Sequence, residues 1–187
     1  MGEASNFVGN SGGHVPEMLL DQFNCELFDN VRPIKWNDPE PGNYDIVVIG
    51  GGAGGLVTAA GSAGLGAKVC LIERNFLGGD CLVNGCVPSK AFLKACKVAH
   101  TVKNCSQFGI KVTGEVEIDF EALMNRMKEI RAKISKNDAA KRFTDHYGID
   151  VFLGHAKFTD KKVIEVNEQK IQFNKAVIAT GARPAIP

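Results

Sequence analysis

Residues 44–55 read YDIVVIGGGAGG and decide the fold. The run YDIVVI is apolar, rich in β-branched residues and stopped by glycine, which is typical of a buried parallel strand. Small residues follow as far as residue 67, and KVCLIE at residues 68–73 predicts a second strand. Strand, helix and strand within about 30 residues predict a βαβ unit. We therefore expect an α/β fold built on a parallel sheet.

Gly50, Gly52 and Gly55 form the pattern G-x-G-x-x-G between the predicted strand and the predicted helix. In such a loop the first glycine permits a tight turn, the second lets a pyrophosphate approach the backbone, and the third lets helix and strand pack closely. The helix N-terminus adds free N–H groups and a partial positive charge. The pattern predicts a phosphate-binding loop, and the alternative is a glycine-rich turn without a ligand.

Glu73 ends the second predicted strand, about 20 residues after Gly52. A carboxylate at this position accepts hydrogen bonds from ribose hydroxyls and disfavours a ribose 2′-phosphate. The predicted ligand is therefore FAD or NAD rather than NADP. A nucleoside triphosphate loop is excluded, because the sequence contains no G-x-x-x-x-G-K-[ST] motif.

Two cysteines lie five positions apart in GGDCLVNGCVPSK, residues 78–90. Five residues of regular helix span about 7.5 Å, whereas a disulfide needs Cα atoms within about 7 Å. Cys81 and Cys86 can therefore pair only across irregular backbone, which Gly85 permits. Cys86 then lies at the start of a helix predicted at about residues 88–104, where the dipole favours its thiolate. The two cysteines have three possible interpretations: a redox pair, a zinc site or an inert buried pair. A zinc site would need two further ligands at matched spacing, and the sequence has none nearby.

Further elements follow from periodicity and composition. Asp119 is expected to cap a helix whose apolar residues repeat at helical spacing, namely Leu123, Met127, Ile130 and Ile134. The alternation in residues 162–173 predicts a β-hairpin, and residues 175–181 predict another buried strand. Cys70 and Cys96 are expected to be buried packing residues.

The chain is divided by composition into an extension and a domain. Residues 1–43 are expected to form an N-terminal extension and linker, with residues 1–15 disordered and a short helix within residues 17–28. Residues 44–187 are expected to form the folded domain.

Bulk composition excludes several classes of protein. Apolar residues make up 44% and charged residues 23% of the 187 residues, and the net charge is +1. This profile is typical of a globular protein and gives no electrostatic argument for nucleic acid or an anionic membrane. No apolar run approaches the ~20 residues that a membrane helix needs, and the first residues lack the apolar core of a secretory signal. We expect a cytoplasmic protein with no nucleic-acid partner, no membrane partner and no metal site.

Four motifs occur in a fixed order at residues 45–55, 78–90, 154–158 and 176–187: DIVVIGGGAGG, GGDCLVNGCVPSK, GHAKF and AVIATGARPAIP. With them the chain resembles the N-terminal part of the FAD-dependent pyridine nucleotide–disulfide oxidoreductases, which include glutathione reductase, dihydrolipoamide dehydrogenase and mercuric reductase. The mercuric-reductase-like branch is the most similar. The resemblance implies a Rossmann-like FAD-binding domain with a small antiparallel β meander.

The resemblance also implies a function in cell redox homeostasis. Electrons would pass from NAD(P)H through FAD to a Cys81–Cys86 disulfide, and then to a small-molecule disulfide or metal-ion substrate. Cys86 would lie against the flavin as the charge-transfer thiolate, Cys81 would be the interchange thiol that attacks substrate, and Lys90 would approach the reactive flavin nitrogen. The cofactor-binding residues implied are Gly50, Gly52, Ala53, Gly54, Gly55, Glu73, Arg74, Gly79, Asp80, Ala156, Ala179, Thr180 and Gly181. A homodimer is implied for the whole reductase.

Two residues depart from the family's pattern. Asp80 stands where many members have Thr, and a carboxylate near a pyrophosphate is unfavourable unless it points away or bonds to backbone donors. Val83 and Asn84 are transposed relative to the usual C-x-N-V-G-C.

The sequence contains neither a second G-x-G-x-x-G nor the His–Glu pair of the family's dimerisation domain. We expect the NAD(P)H and dimerisation domains to be absent, and this part of a reductase to be inactive alone. The alternative is a stand-alone flavin-binding or thiol redox-sensing module without turnover.

Overall fold

The computed structural model describes residues 21–182 and Ala185. The strands in this part of the chain are β1 (Asn43–Ile49), β2 (Val69–Glu73), β3 (Asp150–Leu153), β4 (Lys157–Asp160), β5 (Val163–Val166) and β6 (Gln169–Ile178). They form one sheet in the order β3-β2-β1-β6-β5-β4. Strands β3, β2, β1 and β6 pair in parallel, while β4, β5 and β6 pair antiparallel as a meander. The predicted α/β fold, with its parallel sheet and small meander, is confirmed.

The described α-helices are α1 (Gln22–Val31), α2 (Ala53–Gly64), α3 (Gly79–Val83), α4 (Cys86–Lys103), α5 (Phe120–Ser135) and α6 (Ala140–Tyr147). None of these helices is long and apolar enough to cross a membrane. Strand β1, helix α2 and strand β2 make the predicted βαβ unit, with Ile46 paired to Val69 at the start of the parallel ladder.

Strand β2 is buried on both faces of the sheet. Along β2, Val69 and Leu71 belong to the core shared with the helices, whereas Cys70 and Ile72 belong to a second core on the opposite face. The meander covers that second face with Ile164, Val166, Ile171 and Phe173. A strand buried on both sides needs a continuous apolar run, which explains the sequence KVCLIE.

Two local predictions are confirmed by hydrogen bonds and backbone angles. Asp119 caps α5, because its Oδ1 accepts a hydrogen bond of 2.8 Å from the N–H of Ala122. The hairpin between β5 and β6 turns at Asn167 and Glu168, whose φ angles are 49° and 66°. Two adjacent positive φ angles match the twist of a two-residue hairpin turn.

Three predictions need correction. Residues 175–181 do not form a separate buried strand, because β6 runs without a break from the hairpin and Ile178 is 68% exposed. Helix α4 begins at Cys86, two residues earlier than predicted, because Gly85 supplies its N-cap. Cys70 is buried as predicted, but Cys96 is exposed because it lies on the outer face of α4.

Helix α1 overlaps the predicted short helix, and the disorder predicted for residues 1–15 lies outside the described residues. Leu27, Phe28 and Val31 of α1 are buried in the helix-side core. Part of the predicted extension therefore packs as core, while the division of the chain at residue 43 stays a prediction.

Asp21 caps α1 and joins it to α5. Its carboxylate accepts a hydrogen bond of 2.9 Å from the N–H of Asn24 and forms an ion pair of 2.7 Å with Lys128. Burial raises the pKa of Asp21, but the bonds to Lys128 and Asn24 outweigh burial, and the pKa lies below its usual value. The ionised carboxylate therefore stabilises the contact between α1 and α5.

Candidate functional site

A cavity of about 800 Å³ opens at the carboxyl ends of the parallel strands. Open α/β sheets bind ligands at this edge, and the volume is within the usual range for small-molecule sites. Predicted cofactor-binding residues line it: Gly50, Gly52, Glu73, Arg74, Gly79, Asp80, Ala156, Ala179, Thr180 and Gly181. Elements far apart in the sequence thus bring the predicted residues to one site.

The glycine loop, residues 50–55, has close backbone contacts on one side and open space on the other. A Cβ at Gly50, whose φ is 107°, would lie 2.3 Å from the carbonyl oxygen of Ala179. A Cβ at Gly55 would lie 1.7 Å from the carbonyl oxygen of Gly50. At Gly52, by contrast, a Cβ would meet only the Cα of Gly79, 4.0 Å away. Close backbone packing therefore requires glycine at Gly50 and Gly55, whereas Gly52 faces the cavity.

Helix α2 starts at this loop with its first N–H groups uncapped by a side chain. Its N-cap is Gly52, which makes no side-chain hydrogen bond, and the first turn contains no acidic residue. Ala53 and Gly54 are exposed in that first turn, and a Cβ at Gly54 would meet nothing within 4 Å. Uncapped N–H groups at the end of a 12-residue helix can bind a phosphate.

Glu73 is only 8% exposed and is held by the backbone around it. Its Oε2 accepts a hydrogen bond of 2.6 Å from the N–H of Gly51, and its Oε1 accepts one of 2.5 Å from the N–H of Asn75. The carboxylate therefore also links β2 to the glycine loop, a structural role that sequence reasoning did not anticipate. Each oxygen retains a second lone pair that can accept a ligand hydroxyl.

Sequence reasoning missed Asn75 and His155, which also line the cavity. Oδ1 of Asn75 is buried and has no hydrogen-bond partner among the described residues. A buried acceptor without a partner is costly, so it favours a ligand that supplies a donor. His155 follows β3, and the pattern of parallel strands could have revealed it if this four-residue strand had been recognised.

The two cysteines lie on separate elements with a break between them. Cys81 is on the short helix α3, Cys86 is the first residue of α4, and Asn84 and Gly85 separate the two helices. The predicted irregular backbone is confirmed: a Cβ at Gly85 would lie 2.9 Å from the carbonyl oxygen of Asp80.

Electrostatics distinguish the two thiols. The pKa of Cys81 is raised, first by the side-chain hydrogen bond with Cys86 and then by burial, while the charge of Lys90 lowers it. Cys86 is exposed, whereas Cys81 is half-buried. In this reduced pair the proton stays on Cys81 to a higher pH than on a free thiol.

The cysteine pair lies beside the cavity. Cys81, Cys86 and Lys90 are not among the residues that line the cavity, but their neighbours Asp80, Val83 and Asn84 are. Asp80 is exposed, and its carbonyl oxygen accepts hydrogen bonds of 3.0 Å and 2.6 Å from the N–H groups of Asn84 and Gly85. Within the described part of the chain, no group of three His, Cys, Asp or Glu side chains could hold a metal ion.

A family model described as pyridine nucleotide-disulphide oxidoreductase matches residues 44–187. The chain belongs to this family. The resemblance carried by the four motifs is thereby confirmed, and the matched range contains the glycine loop, the cysteine pair and the cavity-lining residues.

Curated members of the family are similar to this chain over about three quarters of its length. The chain is 35% identical over 144 residues to a dihydrolipoyl dehydrogenase of Acholeplasma laidlawii, covering 77% of this chain and 42% of the relative. It is 37% identical over 145 residues to a mercuric reductase of Lysinibacillus sphaericus, covering 78% and 26%. It is 33% identical over 146 residues to a glutathione reductase of Nostoc sp., covering 78% and 31%. The chain thus spans less than half the length of these relatives.

Proposed function

We propose that this chain is the FAD- and dithiol-bearing part of an NAD(P)H-dependent oxidoreductase that reduces a small disulfide or a metal ion. One observation carries the proposal: the glycine loop, Glu73 and residues 179–181 line a single cavity, and the Cys81–Cys86 pair lies beside it. The residues that would bind FAD and the cysteines that would pass its electrons to substrate thus lie next to each other.

The residues around the cavity fit a dinucleotide. Gly52 leaves room for a pyrophosphate at the uncapped N-terminus of α2. Glu73 can accept ribose hydroxyls with its free lone pairs, and the buried Oδ1 of Asn75 can accept a further donor. When bound, FAD would carry two electrons between NAD(P)H and the cysteine pair.

The two cysteines have different roles in this proposal. Cys86 opens an 18-residue helix, whose N-terminus favours negative charge, and the raised pKa of Cys81 keeps the proton of the reduced pair there. As the resemblance implies, Cys86 takes the role of the charge-transfer thiolate. Cys81 loses its proton before it attacks, and the nearby charge of Lys90 assists that loss.

Disulfide reduction by this pair balances in two exchange steps. The Cys81 thiolate attacks one substrate sulfur, the substrate S–S bond breaks, and a mixed disulfide forms as one substrate thiol leaves. The Cys86 thiolate then attacks Cys81, which releases the second substrate thiol and forms the Cys81–Cys86 disulfide. Two electrons have passed to substrate, two protons complete its thiols, and NAD(P)H is the reductant that restores the pair.

The proposal is tested on the protein purified as its gene encodes it. We expect bound FAD and NAD(P)H-dependent reduction of a small aromatic disulfide. Gly52→Val should lose FAD because the side chain fills the space left for the pyrophosphate. Gly61→Ala should keep FAD, because Gly61 is exposed later in α2 and a Cβ there would meet nothing within 4 Å. Absence of FAD after reconstitution of the wild-type protein would overturn the cofactor assignment.

Cysteine variants test the dithiol separately. Cys81→Ser and Cys86→Ser should each abolish disulfide reduction while FAD remains bound, and Cys96→Ser, an exposed cysteine further along α4, should retain activity. Full turnover in either of the first two variants would show that the pair is not the redox centre. Bound FAD without any turnover in the wild-type protein would instead favour a non-catalytic flavin module.

A further inference from the structure

Residues 31–38 precede the range that the family model matches, yet they bind backbone on two sides of the cavity. Arg32 follows α1, and its Nη1 donates hydrogen bonds of 2.8 Å to the carbonyl oxygens of both Arg74 and Asn75. The carbonyl oxygen of Val31 accepts a further hydrogen bond of 3.2 Å from the N–H of Leu77. Three hydrogen bonds thus hold the turn after β2, which contributes Arg74 and Asn75 to the cavity wall.

The same segment also binds the outer edge of β3 near the carboxyl end of that strand. Oδ1 of Asp38 accepts a hydrogen bond of 3.0 Å from the N–H of Leu153, and Nε1 of Trp36 donates one of 3.0 Å to the carbonyl oxygen of Val151. Because β3 is the outermost strand of the sheet, these backbone groups have no neighbouring strand to bind. Leu153 directly precedes Gly154 and His155, which line the cavity.

Asp38 also reaches the meander. Its Oδ2 accepts a hydrogen bond of 2.6 Å from Nδ2 of Asn167 in the β5–β6 turn. The Asn167 side chain packs close to Gly154, where a Cβ would lie 2.3 Å from Oδ1 of Asn167. Asp38 thus fixes the start of the wall formed by residues 154–156 from two directions.

The sheet itself cannot set the positions of the residues that follow β2 and β3. The β2–β3 ladder ends at the pair Glu73 and Leu153, and the cavity residues Arg74, Asn75, Gly154 and His155 lie beyond it. Burial lowers the pKa of Arg32, while the charges of Glu73 and Asp38 raise it. The guanidinium of Arg32 therefore interacts electrostatically with two carboxylates: Glu73, which lines the cavity, and Asp38, which binds β3.

We propose that residues 31–38 position the dinucleotide pocket, with Arg32 and Asp38 as positioning residues that fix its two walls before the ligand binds. This inference rests on the proposed function, since it takes the ligand to be FAD. A pocket whose walls are already ordered loses less conformational entropy on binding. Removal of either side chain therefore weakens binding even in protein that is fully folded.

The test measures the Kd for FAD by flavin fluorescence in the full chain as its gene encodes it, after removal of bound cofactor. Arg32→Met keeps most of the side-chain length and removes the donors, and Asp38→Ala removes the acceptors on the other wall. Lys35→Met is the matched control, because Lys35 is exposed in the same segment. Urea unfolding of each ligand-free variant at the assay temperature shows whether that variant is folded when its Kd is measured.

We expect Arg32→Met and Asp38→Ala each to raise the Kd about tenfold, as for loss of a charge-assisted hydrogen bond, and Lys35→Met to leave it unchanged. Arg32→Lys, which keeps a donor to the carbonyls, should recover part of the affinity, and it replaces Arg32→Met if that variant does not fold. A merely structural segment would lower the urea midpoint without changing the Kd, and that result overturns the inference. Failure of the wild-type protein to bind FAD would instead refute the proposed function.

Discussion

Gly55 tests whether the third glycine of the loop is required for packing rather than for the ligand. A Cβ at this position would lie 1.7 Å from the carbonyl oxygen and 2.9 Å from the carbonyl carbon of Gly50. Because the obstacle is backbone, α2 must move away from β1 to accept Gly55→Ala. The penalty should be about 3 kcal/mol, the upper end of the cost of overpacking.

The neighbouring Gly54 supplies the control. It lies in the same helical turn, is exposed, and has no atom within 4 Å of a built Cβ. Gly54→Ala should stabilise the protein by about 0.4–1 kcal/mol, because alanine restricts the unfolded chain. The two alanine variants, one residue apart, should therefore change stability in opposite directions.

Urea unfolding of ligand-free protein measures the difference. With a slope of about 2 kcal/mol per molar urea, Gly55→Ala should lower the midpoint by about 1.5 M, and Gly54→Ala should raise it slightly. A Gly55→Ala midpoint equal to that of the wild type would refute the packing geometry derived for this loop.

Four further predictions concern the thiols, the first helix and the second core. Iodoacetamide should modify Cys86 before Cys81 in reduced, ligand-free protein, since Cys86 is exposed and the pKa of Cys81 is raised; mass spectrometry that finds the opposite order contradicts this. Lys90→Met should move the labelling of Cys81 to higher pH, because the lysine charge lowers that pKa. Asp21→Ala should cost about 1 kcal/mol at neutral pH. Its folded-state pKa is lowered, so this stability is present above the unfolded value near ~3.9 and should vanish as pH falls through the folded value; a difference from wild type that persists in acid would refute it. Tyr44→Phe removes a 2.9 Å hydrogen bond to a β3 carboxylate and should cost about 1 kcal/mol in urea unfolding, and no change would show that this bond adds nothing.

The βαβ unit could be predicted because its signals are local. Apolar runs, small residues and a terminal acid occur within about 30 residues, and the parallel pairing of Ile46 with Val69 follows from them. The N-cap of α5 could be predicted for the same reason, because Asp119 directly precedes a stretch whose apolar residues repeat at helical spacing. Strand β3 was not predicted because Asp150–Leu153 is too short to show a period.

The contribution of residues 31–38 could not be predicted from local pattern. Arg32 binds carbonyl oxygens 42 and 43 positions away, and Asp38 binds an N–H 115 positions away. Proline and glycine nearby gave the segment the composition of a linker, although its polar side chains bind the ends of β2 and β3. The exposure of Cys96 was missed for a related reason, because burial of a helix face depends on what packs against it.

Strand β6 makes the protein sensitive to insertions and deletions in the hairpin turn before it. Its first residues pair with β5, its later residues pair with β1, and the chain then reaches Ala179 and Thr180 at the cavity. Loss of one residue at Asn167 or Glu168 would pull the strand by about 3.4 Å and exchange its inward and outward faces. A hairpin tip on a protein surface normally tolerates changes in length, but here natural or engineered length variation should be confined to other loops.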